Sequence, residues 1–375
     1  MSGIALITTQ AFSLWNFRGP LIRALTDRGV DVYALAPDFD DGSRNRVLEL
    51  GAVPVDYSLS RTGINPAKDA AAVFQLARLL KRLSPDMALS YFIKPVIYGS
   101  IAAWLAGVPK RFSMIEGLGY VFLNDSESMR WRRHALRRAV SALYRFALGL
   151  NRKVFFLNQD DIDQFVDEGI VDQNQVARID GIGLDLAHYA PATPVLKPVT
   201  FILIARMLKE KGVYDFVEAA RRVRKRYPAA RFVLVGGGDQ NPGSVTEAEL
   251  GAWVAEGLVE WPGQVDDVRP WLARASVFVL PSYYREGLPR GSQEALAMGL
   301  PVITTDWVGC RETVKDGVNG FLVPVRDSNA LARAMIRFIE SPGLIGRMGL
   351  EGRRIAEERF DAHVINRRIM EVLGL

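Results

Sequence analysis

Cysteine is nearly absent from this 375-residue sequence. Cys310 stands alone, which excludes an intramolecular disulfide and fits a reducing compartment. Histidine is almost as scarce: His134, His188 and His363 lie far apart along the chain, so no zinc site is expected from them. Long apolar runs are missing too. The two longest uncharged stretches, residues 1–17 and 95–109, fall short of the ~20 residues a membrane-spanning helix needs. The opening MSGIALITT lacks the basic leader and apolar core of a signal peptide and reads as a buried strand. There is no short internal repeat and no low-complexity tract. What remains is 49% hydrophobic and 24% charged, the composition of a globular protein, at a length for which two domains are the default.

The net charge of +5 is unevenly placed. Within residues 129–153 lie Arg130, Arg132, Arg133, Arg137, Arg138, Arg145, Arg152 and Lys153, with no acid among them. Val140, Leu143, Tyr144 and Ala147 keep a helical period through the same stretch, which predicts a basic amphipathic helix. Such a helix is either a solvated element packed on its own domain or a surface that docks on anionic lipid. No nucleic-acid reader motif accompanies the charge, and nucleic acid is not expected as a partner.

Strand-like runs at 4–8, 31–36, 87–90, 111–115 and 153–157 alternate with helical patterns, notably 20–28 and 70–83. The rhythm repeats with strands at 200–205, 231–235, 277–280 and 301–304. This alternation predicts an α/β protein with a parallel sheet, covered by helices on both faces, in each half. Three prolines in YAPATPVLKPV mark a junction. The expected division is residues 1–190, residues 191–360, and a final helix over 361–375 that returns to the first domain.

In a doubly wound domain, ligands sit beyond the carboxyl ends of the strands. Four such ends in the second half carry marked residues. They are Arg206 with Lys211, the triplet Gly236, Gly237 and Gly238, the segment EGLPRGSQE with Glu286 and Glu294, and the loop TDWVGCRE. Each is weak alone: the cations suit an ordinary surface, the glycines a turn, and Glu294 a helix macrodipole. Together on one sheet edge they suit a sugar nucleotide. A guanidinium and an ammonium neutralise a departing diphosphate without metal. Gly287 and Pro289 keep their loop out of helix and expose its amides. Glu294 accepts from ribose hydroxyls, and Glu286 reaches the sugar.

EGLPRGSQEALAMGLPVITTD, with RMLKEKG before it and CRETVKDGVNGFLV after it, resembles the donor domain of the retaining family 4 glycosyltransferases. In the first half, NFRGPLIRAL, RTGINPAKD, YFIKPVIYG and MIEGLGYVF resemble the bacterial branch that extends polyprenol-diphosphate-linked sugars for surface polysaccharides. The resemblance covers nearly the whole chain. It implies the GT-B fold, two Rossmann-like domains facing a central cleft, and front-face sugar transfer with no metal or other cofactor. By position it places diphosphate contacts on Arg206, Lys211 and Gly19. The sugar contact falls on Glu286, the ribose contact on Glu294 and the base contact near Val265, with Gly236, Gly237, Gly287, Leu288, Pro289 and Arg290 lining the nucleotide-sugar site. Where many relatives have Gly-Ser-Gly before the linker, this chain has Gly181, Ile182 and Gly183, so no hydroxyl contact is expected there. Glu116 occupies the region where some relatives carry a histidine; it is read either as a base or hydroxyl contact or as a structural loop acid.

On the acceptor side, Asn16, Arg18, Arg61 and Lys94 are candidate cleft-mouth contacts to a lipid diphosphate. Phe12, Trp15 and Phe17 are candidates for the lipid chain. The expected enzyme moves a sugar, as a UDP-linked hexose or N-acetylhexosamine, to a lipid-diphosphate-linked saccharide. It would work at the inner face of the plasma membrane, held peripherally by the basic helix. A UDP-sugar epimerase of the same fold, a nucleotide-sugar sensor, and use of GDP-mannose or GDP-fucose are the alternatives. Asp38 and Asp40 form a D-x-D, which in another glycosyltransferase fold chelates a metal; with no partner acids it reads as a solvated turn.

Overall fold

A computed structural model describes residues 2–60, 65–118, 130–239, 241 and 243–375, with the side chains of residues 66 and 130–136 left aside. The apolar runs become strands where the sequence places them. β1 (Gly3–Ile7), β2 (Asp31–Ala36), β3 (Val53–Asp56), β4 (Met87–Tyr91), β5 (Lys110–Ile115), β6 (Lys153–Phe156) and β7 (Val176–Arg178) form one sheet in the order β3-β2-β1-β4-β5-β6-β7. All its pairings are parallel; Ile4, for example, faces Val32 on one side and Met87 on the other. β1 and β4 are buried along their whole length, as expected for central strands covered on both faces.

The second sheet contains β8 (Thr200–Ile204), β9 (Arg231–Val235), β10 (Val277–Leu280), β11 (Val302–Thr305) and β12 (Gly320–Val323), in the parallel order β12-β11-β10-β8-β9. Three strands escape the sequence reading: β3, β7 and β12. They are the short edge strands, three or four residues each, and β3 and β7 are nowhere fully buried, so they leave no strong apolar run.

Each unit has its own core. In the first, Ala5, Ile7, Leu35, Leu76, Leu80 and Ala88 pack on one side of the sheet, and Ile115, Tyr144, Phe156 and Phe165 form a second cluster. In the second, Phe201, Phe216, Phe232, Leu331, Met335 and Phe338 are among the residues that close the core. The helix Val213–Arg226 shows how sequence sets this packing. Phe216, Val217, Ala220 and Val223 recur at helical spacing and are buried, while Arg224, Lys225 and Arg226 close its last turn, where cations suit the dipole.

The division lies earlier than the prolines suggest: residues 1–183 with 362–375 form one unit, and 184–361 the other. The segment after Gly183 is no loose linker. Leu184 N donates to Phe360 O at 2.8 Å, Ala192 N to Met298 O at 3.2 Å, and Ser276 Oγ to Val195 O at 2.5 Å. These bonds fasten it to the second unit. Gly183 has φ +84°, and a Cβ there would lie 2.7 Å from Ala362 Cα, so a glycine is required for the approach. The last helix, Ala362–Leu373, packs in the first unit against the helix Gly19–Thr26.

Candidate active site

In the second sheet the strand order reverses between β8 and β10, and a crevice at such a reversal is where doubly wound domains bind ligands. The loops leaving these two strands are stitched together. Gly212, at φ +76°, caps the short turn Lys209–Lys211, and a Cβ there would lie 2.2 Å from Pro281 O. The carbonyl of Glu210 then accepts from Tyr283 N at 2.9 Å and Tyr284 N at 3.0 Å. The Ser282 hydroxyl lies 3.2 Å from both Glu210 O and Glu286 Oε1, and its single proton serves one of them at a time.

This stitching brings Lys211 and Glu286 together. Their side chains, each 13% exposed, form an ion pair, and the Lys211 ammonium lies 5.3 Å from the centre of the Tyr284 ring. Arg206 pairs with Asp239 at 2.6 Å. Burial works against the guanidinium's charge. The bond to Asp239 and that carboxylate's charge, helped by Tyr284 and Glu286, nevertheless raise its pKa above the usual value. Both cations expected to meet a diphosphate therefore lie beside one sheet edge. Burial pushes the Tyr284 phenol up as well.

Glu286 is held from behind by a glycine. Gly309 has φ +73°, and a Cβ there would stand 2.4 Å from Glu286 O and 2.8 Å from Gly287 O. Gly287, the buried Leu288 and Pro289 lead into the helix Arg290–Ala297, with Pro289 at its N-cap. Gly291 lets that helix start close against β8, 3.2 Å from Ile204 O to where a Cβ would be. The N-terminus of this helix thus lies beside the end of β8, the sheet edge that also carries Arg206, an arrangement that favours anionic oxygen. Glu294, one turn on, is 8% exposed and accepts from Arg290 Nε at 2.7 Å and from Tyr189 OH at 2.9 Å, both at Oε1.

Two glycines of the triplet are bonded within the fold. Gly236 N bonds Gly263 O at 2.9 Å, Gly236 O accepts from Trp261 Nε1 at 2.9 Å, and Gly237 O accepts from Met207 N at 2.9 Å. A Cβ on Gly236 would fall 1.9 Å from Ala205 O. Gly236 lets the ends of β8 and β9 approach, which requires a glycine, whereas a Cβ on Gly237 would meet only the Gln264 side chain. Val265 is half-buried in the loop after Glu260, which bridges to Val233 beside β9.

In the first unit the reversal falls between β1 and β4. A short helix, Ala11–Asn16, fills the loop after β1, so Asn16 ends a helix instead of lying in the expected loop. Thr8 Oγ1, Ser13 Oγ and Tyr91 OH form a buried hydroxyl chain with 3.0 Å steps. Arg18 departs most from expectation. It is 1% exposed, pairs with Glu116, lies 4.4 Å over the Tyr91 ring and points Nη2 at Met114 Sδ, 3.2 Å away. It is a buried ionic anchor at the strand ends and not a cation at an open mouth, because the Tyr91 ring and the Met114 sulfur cover its guanidinium. Glu116, in turn, has its carboxylate committed to Arg18. Lys94 bonds Asp69 Oδ1 at 3.0 Å and Ser60 Oγ at 2.9 Å. Gly19 opens the helix Gly19–Thr26, where a Cβ would meet only Leu50, at ordinary contact distance. Arg61 lies outside the described residues.

The D-x-D acids both serve the backbone. Asp38 Oδ1 accepts from Ala11 N at 2.6 Å, and Asp40 caps the helix Asp41–Glu49 in a capping box with Ser43. The basic stretch forms the helix Arg130–Gly149. Tyr144, Ala147 and Leu148 are its buried face, whereas Leu143, expected among them, is 39% exposed and Phe146 is 54% exposed. The reason is angular: Leu143 and Phe146 lie on the flank opposite Leu148. Arg137 pairs with Glu168 at 2.5 Å, and Arg145 donates to Gly169 O at 2.7 Å. Among the described residues, no helix is long and apolar enough to cross a membrane, and no three His, Cys, Asp or Glu are grouped for a metal.

Two family profiles meet on this chain. The family described as "Glycosyl transferase 4-like domain" matches residues 16–180, and that described as "Glycosyl transferases group 1" matches residues 198–341. The chain is a family 4-type glycosyltransferase. A Campylobacter jejuni enzyme, N,N'-diacetylbacillosaminyl-diphospho-undecaprenol alpha-1,3-N-acetylgalactosaminyltransferase, is 27% identical over 98% of this chain and 97% of its own length. An Escherichia coli enzyme, UDP-Gal:alpha-D-GlcNAc-diphosphoundecaprenol alpha-1,3-galactosyltransferase, is 28% identical over 73% of this chain and 71% of its own. Anabaena HepE, solved with UDP, superposes over the whole of both chains with a TM-score of 0.78 at 19% identity. Sucrose-phosphate synthase from Thermosynechococcus elongatus covers 100% of this chain and 98% of its own at a TM-score of 0.76 and 18% identity, and these likenesses confirm the GT-B fold of the glycosyltransferase.

Proposed function

We propose that this glycosyltransferase moves a sugar from a nucleoside diphosphate, with retention of anomeric configuration, to a saccharide carried on a lipid diphosphate. The observation that carries the reading is the convergence of Lys211, Arg206, Glu286 and the N-terminus of the helix Arg290–Ala297 at the reversal of the second sheet. The Campylobacter and Escherichia relatives, named for diphospho-undecaprenol-linked acceptors, support the same acceptor class here. UDP is the donor nucleotide of choice, in keeping with the Escherichia relative's UDP-Gal.

In the proposed reaction the bond from the sugar's anomeric carbon to the diphosphate oxygen breaks, and a bond to the acceptor hydroxyl forms on the same face. The hydroxyl proton passes to the departing phosphate oxygen, giving free nucleoside diphosphate and the lengthened glycan. Lys211 and Arg206 stabilise the developing charge, so no metal is required. Glu286, released from Lys211 as the ammonium turns to phosphate, accepts from sugar hydroxyls, and Glu294 holds the ribose. Arg18 and Glu116 stay paired as a buried anchor at the strand ends of the first unit and are given no substrate contact. The helix Arg130–Gly149 holds the enzyme at an anionic membrane surface, with Leu143 and Phe146 facing the lipid.

The test supplies purified enzyme with a panel of UDP- and GDP-sugars and with undecaprenyl-diphosphate saccharides, and follows the lipid product. Transfer with retained configuration supports the reading. Conversion of a nucleotide sugar to its epimer without any acceptor would instead identify an epimerase.

A further inference from the structure

We propose that Tyr189 is a positioning residue for the nucleotide ribose, acting through Glu294. The inference rests on the donor-site reading of Glu294 given above. Two donors from different parts of the chain end on one oxygen of this carboxylate. Arg290, one helical turn earlier, reaches Oε1 at 2.7 Å, and the Tyr189 hydroxyl, 105 residues away in sequence, reaches the same atom at 2.9 Å. None of the described residues donates to Oε2. A carboxylate gripped by one neighbouring guanidinium can turn and exchange its oxygens. A second donor arriving from another segment fixes its plane and leaves Oε2 as the acceptor presented to an incoming hydroxyl.

Tyr189 is built for a fixed role. Its side chain is buried, and burial first, then the charge of Glu294, push its phenol well above the ordinary tyrosine range. It therefore keeps its proton and stays a donor at any working pH. Its backbone is fixed as well: Arg353 Nη1 donates to Tyr189 O at 2.9 Å and to Ala297 O at 2.7 Å. One guanidinium thus ties the tyrosine's segment to the last residue of the helix that carries Glu294.

Y189F removes one oxygen and keeps the ring. Affinity is measured calorimetrically for UDP or GDP, whichever the wild type binds more tightly, and for its 2′,3′-dideoxy analogue. In Y189F the ribonucleotide should bind about five- to thirty-fold more weakly, the effect of one lost hydrogen bond to a charged group, with Tm retained. The dideoxy analogue, which offers Glu294 no hydroxyl, should bind wild type and Y189F alike, and in turnover the loss should fall on donor KM and not on kcat. E294A separates the two ideas. If it leaves ribonucleotide affinity intact, the donor-site reading fails. If it weakens binding while Y189F does not, or if Y189F weakens both nucleotides equally, the role of Tyr189 is overturned and the donor site stands.

Discussion

At the scale of single residues, the pair Lys211–Glu286 dominates the expected chemistry. Both side chains are largely enclosed, so each neutralises the other until phosphate and sugar arrive. Removing one partner of such a pair leaves a buried charge uncompensated, which costs more than removing both. Lys211→Ala and Glu286→Ala should each lower kcat/KM by roughly 10²–10³, the usual effect of losing one preorganised charge-stabilising group. The double variant should be just as inactive yet melt higher than either single one. A thermal melt of the three variants checks this, and additive destabilisation would contradict the pairing. The residues of this site were legible in the sequence because their chemistry is local: an R-x4-K spacing and two glutamates around a glycine-proline loop survive without knowledge of the fold. Tyr189 was not legible. It heads a proline-rich stretch, and only the chain's return past Glu294 gives its hydroxyl a partner.

At the scale of elements, loops at the strand ends are shaped by glycines whose purpose differs from one to the next. Gly309 stands against the carbonyls of Glu286 and Gly287 at φ +73°, a conformation that any larger residue adopts only with strain. Gly309→Ala should therefore destabilise the protein by more than about 1 kcal/mol and raise donor KM by displacing the Glu286 loop. Chemical denaturation and donor titration measure the two effects. Gly236 and Gly237 are expected from the sequence to line the nucleotide, and in the fold their carbonyls accept bonds from Trp261 and Met207. A glycine run signals close approach, and sequence cannot say whether backbone or ligand approaches it. Helix patterning shows a similar limit. The period of Arg130–Gly149 was readable, but which flank is covered depends on its neighbours, and Leu143 with Phe146 faces outward. Phe146→Glu should reduce sedimentation with vesicles containing anionic lipid while leaving donor binding unchanged; equal sedimentation would remove the helix from the membrane proposal.

At the scale of the whole molecule, the chain forms one unit, then a second, and finishes with a helix on the first. Isoleucine and methionine side chains of that last helix, Ile365, Ile369 and Met370, are buried. A chain truncated after Asp361 should lose several kcal/mol of stability, since fully burying such side chains is worth about 1.5–3 kcal/mol each. Its melting should be led by the first unit. The proposed reaction also relies on side-chain cations alone, so turnover should be unaffected by EDTA. Loss of activity with chelator, restored by Mg²⁺ or Mn²⁺, would refute metal independence.

Composition, alternation of apolar runs and short polar spacings by themselves determined a two-domain α/β chain, most of its central strands, and the residues proposed to grip a nucleotide sugar. Those features follow from backbone periodicity and from chemistry that neighbouring residues carry together. The tertiary structure alone decided the short edge strands, the boundary at Gly183, the burial of Arg18 on Glu116 and the tyrosine behind Glu294. Each of these depends on partners far apart in sequence, and burial and hydrogen bonding exist only once the fold brings the partners together.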